Sequence, residues 1–210
     1  MLDPLQLNCY SSRTIINGTT ITTMTTQETC TAKHDPQLER GCVQVYTGNG
    51  KGKTTAALGL ALRAVGRGLK VCFFQFIKGG GPYGEHLIAA KLSPLLTMIQ
   101  TGRPGWVNTK DITEDRKVAQ DALERSKEII ASGCYDLIVL DEINGAVGFG
   151  LIDVEQVLDL IKLRPDHVEL VLTGRNASEK VIEAADLVTE MLEVKHYYKA
   201  GVPSRNGIEL

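Results

Sequence analysis

Aromatic residues make up only 5% of this chain, with a single tryptophan, Trp106. No apolar run approaches the roughly 20 residues that a membrane-spanning helix needs. Neither sign of charge dominates: 23 Lys and Arg face 25 Asp and Glu, a formal net of −2. That balance gives no electrostatic basis for binding nucleic acid. The five cysteines, Cys9, Cys30, Cys42, Cys72 and Cys134, form no C-x-x-C pair. Neither a disulfide framework nor a zinc site is indicated. Cys42, Cys72 and Cys134 lie in or beside apolar runs and read as small core residues, which fits a reducing, cytoplasmic setting. The four histidines, His34, His86, His167 and His196, are scattered and none sits in a triad context.

What remains is an ordinary globular composition, 43% apolar over 210 residues, enough for one sizeable domain. Residues 1–40 are rich in Thr and poor in apolar periodicity, and read as a flexible extension. From residue 41 to 210 the chain alternates strands and helices. Short apolar runs at 42–46, 70–76, 95–100, 135–142 and 168–174 have the length of buried strands, and 186–194 reads as a last one. Helical spacing covers 53–68, 113–131, 153–163 (opened by Asp153) and 178–185. Strands apolar on both faces and separated by helices predict an α/β domain, a mostly parallel sheet with helices on both faces.

The first strand runs into "TGNGKGKTT", residues 47–55. The phosphate-loop pattern G-x-x-x-x-G-K-[ST] aligns with Gly52, Lys53 and Thr54, but puts Thr47 where the first glycine belongs. The chemistry survives the departure. Gly48, Gly50 and Gly52 permit a loop whose successive N–H groups turn inward, and the helix beginning near Lys53 adds its N-terminus to the anion site. Lys53 can bridge phosphate oxygens, and Thr54 can offer its hydroxyl to Mg²⁺, an ion that takes few protein ligands.

Asp141 and Glu142 leave the strand "LIVLDE" at its carboxyl end, where open α/β sheets bind ligands. One carboxylate of the two should reach the metal. Asp141 could instead cap the following helix. Arg175, after the strand "VLTG", can meet phosphate or make a surface ion pair. Gln75 and Lys78, after the second strand, are open in the same way. Trp106, in the Gly/Pro-rich loop "GRPGWV", reads on residues alone as a core-packing aromatic. These features by themselves specify a P-loop nucleotide-binding protein, with the fate of the phosphate open.

The motifs "TGNGKGKTTAALGLALRA", "QFIKGGGPYGE", "VLDEINGA", "ELVLTGRNA", "ADLVTEM" and "VKHYYKAGV", in this order, resemble the P-loop-type ATP:corrinoid adenosyltransferases. The likeness spans roughly residues 41–210 and includes Thr in place of the first glycine. It implies a single RecA-like, P-loop NTPase-like domain. It also implies a reaction in which the Co(I) centre of a corrinoid attacks C5′ of ATP and triphosphate leaves, in adenosylcobalamin biosynthesis or salvage. ATP would lie reversed across the loop.

Carried over residue by residue, the resemblance gives Gly48, Asn49, Gly50, Lys51, Gly52, Lys53, Thr54 and Thr55 to the triphosphate, with Asn49 also near the ribose. It gives Thr54 and Glu142, with Asp141 beside them, to Mg²⁺, Mn²⁺ being the alternative ion. Trp106 falls near an aromatic pair that in some relatives packs on the corrin face and favours loss of a cobalt axial ligand. Pro104 stands here where those relatives have the other aromatic. The family also implies a homodimer and a reductase that supplies Co(I). An ATPase or small-molecule kinase, and a non-catalytic ATP- or corrinoid-binding regulator, are the competing readings.

Overall fold

The computed structural model describes residues 35–210 in full, together with the backbone of two short strands before them. Those strands, β1 (Ser11–Ile16) and β2 (Thr19–Met24), pair antiparallel with Ser11 opposite Met24. They belong to a unit separate from the one that begins at His34. Most of the expected extension, residues 1–40, otherwise lies outside the described residues.

The larger unit holds β3 (Val43–Thr47), α1 (Lys53–Val65), β4 (Val71–Gln75), α2 (Gly84–Leu92), β5 (Leu96–Gln100), α3 (Thr113–Ala131) and β6 (Leu137–Asp141). It continues through α4 (Ile143–Gly148), α5 (Val154–Leu163), β7 (Glu169–Thr173), α6 (Glu179–Glu183) and β8 (Leu187–Glu190), and a 3-10 turn follows at Tyr197–Ala200. The six strands form one sheet in the order β5-β4-β6-β7-β3-β8, and every pairing is parallel. The predicted α/β class is therefore borne out.

Alternation along the strands builds two cores. Cys72, Phe74, Ile138, Leu140, Leu170 and Leu172 face one side, where α3, α5 and α6 supply Leu123, Ile130, Val157, Leu160 and Val181. Val71, Phe73, Leu137, Val139 and Val171 face the other, against Ala57, Ala61 and Ala64 of α1 and Ala89 of α2. The alanine stripe lets α1 lie close on the sheet, and that closeness presses its first turn against the strand ends. Each fully buried Leu, Ile or Phe contributes about 1.5–3 kcal/mol of burial free energy.

Local signals explain most boundaries. Asp153 caps α5 reciprocally with Gln156, a capping box. At the start of α3, where the expected span 113–131 begins, Thr113 is the first helical residue, and the Asp111 carboxylate accepts its N–H at 3.1 Å. Two helices were not expected. α2 buries only Ala89, so its apolar residues draw no stripe, and α4 is a six-residue turn containing two glycines.

Cysteine behaves partly as expected. Cys42 and Cys72 are free thiols, and burial pushes that of Cys72 up to about 12. Cys134 is disulfide-bonded. This corrects the expectation for that residue, since the C-x-x-C test weighs only cysteines that are neighbours in the chain.

Candidate active site

Every candidate but Trp106 sits at the carboxyl end of the sheet, because parallel strands all end on the same edge. β3 ends in Thr47 and turns directly into the loop, and Gly52 (φ 123°) precedes the first residue of α1, Lys53. Gly48 (φ 92°) has no room for a side chain: a Cβ there would stand 2.5 Å from the Met191 carbonyl. The stretch after β8 thus supports the loop from behind. The Gly50 N–H donates to the Met191 carbonyl at 2.7 Å, and the Met191 N–H donates to Thr47 at 2.9 Å.

Lys53 is 7% exposed. Its ammonium donates to the carbonyls of Gly48 at 2.7 Å and Gly50 at 2.8 Å. Burial draws its pKa below the ordinary lysine value; Glu142 opposes that, Arg175 adds to it, and Asp141 opposes it. A desolvated ammonium held on its own loop gains from a polyanion that replaces the carbonyls.

Asp141 is fully buried, and four side chains converge on it. Thr54 donates to Oδ1 at 2.9 Å and Thr173 to the same oxygen at 2.7 Å. Gln75 and Lys78 donate to Oδ2 at 3.4 and 3.3 Å. The register explains the convergence, for Gln75 lies directly opposite Asp141 on neighbouring strands. Asp141 is therefore tied to the first turn of α1 and does not cap α4.

Glu142 occupies the N-cap position of α4 with a left-handed backbone (φ 63°), and its N–H donates to Thr173 Oγ1 at 3.0 Å. A non-glycine residue in that region carries strain that the surrounding structure must hold. Burial raises the pKa of its carboxyl above the ordinary value and Asp141 adds to the rise, while Lys78, Lys53 and Arg175 oppose it. The two carboxylates thus stand side by side, both drawn out of water. No group of three or more His, Cys, Asp or Glu side chains gathers to hold a metal among the described residues.

Arg175 is exposed, on the turn after β7, close enough to act on the charges of Lys53 and Glu142. Among the described residues it has no ion-pair partner. Its charge also acts on Glu193, whose carboxyl the Lys199 hydrogen bond chiefly holds below the ordinary value.

Residues 39–210 match the model of a family described as ATP:corrinoid adenosyltransferase BtuR/CobO/CobP. The chain belongs to this family. It is 39% identical over 171 residues to the corrinoid adenosyltransferase of Pseudomonas aeruginosa, covering 81% of this chain and 84% of that one. It is 38% identical over 173 residues to that of Escherichia coli K12, covering 82% and 87%. The Salmonella typhimurium enzyme CobA is likewise 38% identical over 173 residues, covering 82% and 87%. Among solved structures, the flagellar accessory protein FlaH from Methanocaldococcus jannaschii superposes with a TM-score of 0.52 at 13% identity, over 72% of this chain and 71% of that one. That likeness concerns the fold alone. The resemblance drawn from the motifs is thus borne out, and the matched region contains every candidate site residue.

For this adenosyltransferase-family chain the structure also corrects the core-packing reading of Trp106. Trp106 is 99% exposed and packs in no core. Its loop is held from beneath by backbone instead. Gly79 and Pro104 form a parallel bridge between the loops that follow β4 and β5. A Cβ on Gly79 would stand 2.0 Å from the Arg103 carbonyl, and one on Gly102 would stand 2.6 Å from the Lys78 N. Pro104 is thus one of the two residues that join the loops.

The sequence also gave no warning of Thr173, Glu85 and His86. The Tyr83 N–H donates to His86 Nδ1 at 3.0 Å, so the ring proton lies on Nε2, which donates to Gln75 Oε1 at 2.9 Å. The Gln75 amide is thereby turned with its NH₂ toward Asp141 and Glu85, at 3.4 Å from each. A polar residue closing an apolar strand is the one signal that could have flagged Thr173.

Proposed function

We propose that this protein transfers the 5′-deoxyadenosyl group of ATP to the Co(I) centre of a corrinoid and releases triphosphate, in the making or salvage of adenosylcobalamin. One observation carries the reading. The family match over residues 39–210 coincides with a buried lysine on a glycine loop, a threonine hydroxyl and a carboxylate pair at one sheet edge.

The electron pair of Co(I) forms the new bond to C5′, the C5′–O bond breaks, and its electrons leave with the triphosphate. Charge grows on the leaving group. Lys53 exchanges its loop carbonyls for phosphate oxygens, the amides of residues 48–55 turned toward the ligand accept further charge, and Arg175 closes on the exposed side. The Gly50 N–H is engaged by Met191, so Gly50 serves the loop's shape. Asn49 would meet the ribose. Thr54 and Glu142 would hold Mg²⁺, with Asp141 fixing the Thr54 hydroxyl from behind. When bound, that ion supplies charge neutralisation of the triphosphate. No base is required, because Co(I) carries no proton to remove.

Trp106, fully exposed above the joined loops, offers its indole face to the corrin ring, where it favours loss of an axial ligand. The family reading also supports a homodimer, an electron donor that reduces Co(II) to Co(I), and work in the cytoplasm. No helix among the described residues is long and apolar enough to cross a membrane.

The test is incubation with ATP, Mg²⁺ and chemically reduced cobalamin. The expected result is the spectrum of a light-sensitive Co–C bond with stoichiometric triphosphate. ADP as the product would replace this reading with a kinase or ATPase, and tight binding without turnover would point to a regulator.

A further inference from the structure

Thr47 stands where the phosphate-loop pattern has its first glycine, and it is 7% exposed. Its hydroxyl accepts the Ala177 N–H at 3.1 Å. At the other end of the same turn, the Gly174 N–H donates to the Tyr46 carbonyl at 3.2 Å. The turn after β7 is thus tied to two consecutive residues at the end of β3. Between the ties lie only Arg175 and Asn176, both exposed.

The turn has little slack. Asn176 is in the left-handed region (φ 55°). Gly174 (φ 132°) is pressed so closely on α4 that a Cβ would stand 2.6 Å from the Gly145 N. The tie at Gly174 is backbone to backbone, so it does not depend on the side chain at position 46. The tie at Ala177 depends wholly on the hydroxyl at position 47, and the glycine of the ordinary pattern could not make it. The other bond at this residue, from the Met191 N–H to the Thr47 carbonyl, does not need the side chain.

We propose that Thr47 is a positioning residue: by holding Ala177, its hydroxyl fixes Arg175 beside the phosphate loop, where the guanidinium meets the departing triphosphate. This rests on the adenosyl-transfer reading above. Thr47 acts through Ala177 and Arg175, and the substitution of Thr for Gly adds a side-chain link between the loop and the neighbouring turn that a plain glycine loop lacks.

The test is a cycle of T47V, R175A and the double variant, with T47S as the conservative control. Transfer from ATP to chemically reduced cobalamin is read as kcat and KM for ATP. T47V keeps the shape and loses the hydroxyl, so kcat/KM falls about five- to tenfold, the worth of one hydrogen bond. T47S, which keeps the hydroxyl, stays within about twofold of wild type. R175A falls at least as far as T47V, and adding T47V to it costs nothing further, because the turn then has no guanidinium to place. Additive losses, a T47S variant as poor as T47V, or an R175A variant equal to wild type would each overturn the proposal. Should wild type itself form no Co–C bond, the reaction reading fails separately. The same cycle is then read on the Kd for Mg-ATP by calorimetry, where non-additivity supports the role of Thr47 and additivity overturns it.

Discussion

Lys53 and Trp106 stand at the two extremes of the candidate site, 7% and 99% exposed. Around Lys53 the ammonium and its neighbouring carboxylate are already held: two carbonyls take the ammonium, and four donors hold Asp141. Around Trp106 the backbone is pinned, loop to loop through Gly79 and Pro104, while the ring itself touches nothing. The phosphate side is organised in advance for a small, densely charged ligand, whose charge is worth most when the groups that meet it need no rearrangement. The other side keeps a pinned backbone and a bare apolar face, which under the proposed reaction would meet the large flat acceptor.

The sharpest way to break this comparison is Lys53→Ala. Turnover should fall roughly 10²- to 10³-fold, the usual loss when one donor to developing charge is removed. The melting temperature should barely move, since relief of a desolvated charge offsets the two lost hydrogen bonds. Full activity in a folded Lys53→Ala protein would remove the phosphate loop from the mechanism.

Glu142→Gln should cost roughly 10- to 100-fold at limiting Mg²⁺, and the deficit should shrink as the metal is raised. The ligand-free variant should melt higher than wild type at neutral pH, because glutamine removes a desolvated charge beside Asp141. A deficit that persists at saturating metal would shift the metal role to Asp141.

Trp106→Ala probes the opposite half. Its stability should stay within about 0.5 kcal/mol of wild type, not the 3–5 kcal/mol (an approximate figure) that a core aromatic would cost. Activity should fall roughly 30-fold when Co(II) must be reduced on the enzyme, as for a buried aromatic anchor at an interface. It should fall much less with pre-reduced Co(I). Equal losses in both assays would detach Trp106 from axial-ligand removal.

The smallest effect lies at the seam between the halves. Burial lowers the His86 pKa from its ordinary 6.5, with Glu85 opposing and Lys78 adding to the shift. The folded protein therefore resists a proton that the unfolded chain accepts. Stability is fully present above pH 6.5 and declines as pH drops from there through the lowered folded value. His86→Gln, which keeps a donor for Gln75, should flatten that decline in a series of thermal melts. An unchanged slope would mean that another group titrates there.

How much of this was legible beforehand differs from residue to residue. The strand that became β6 and the paired carboxylates at its end were readable, because a buried parallel strand is an unbroken apolar run and its first polar residues mark where it leaves the core. The helix at 113–131 was readable from its spacing, and the cap at Asp153 from its residue type. α2 was not, since a helix that buries one alanine leaves no periodic trace. Trp106 was misread because composition says how often tryptophan is buried, not whether this one is.

The sequence by itself determined the parallel α/β domain, the glycine loop and the place of Lys53, Thr54, Asp141 and Glu142 at the strand ends, all of which are encoded within a few neighbouring residues. Only the tertiary structure decided that Thr173, Gln75 and Lys78 meet on Asp141, that Thr47 holds Ala177, and that Gly79 and Pro104 join two loops. Those meetings depend on the strand order β5-β4-β6-β7-β3-β8. Order in a sheet is set by which buried faces fit together across the whole core, and no local pattern carries it.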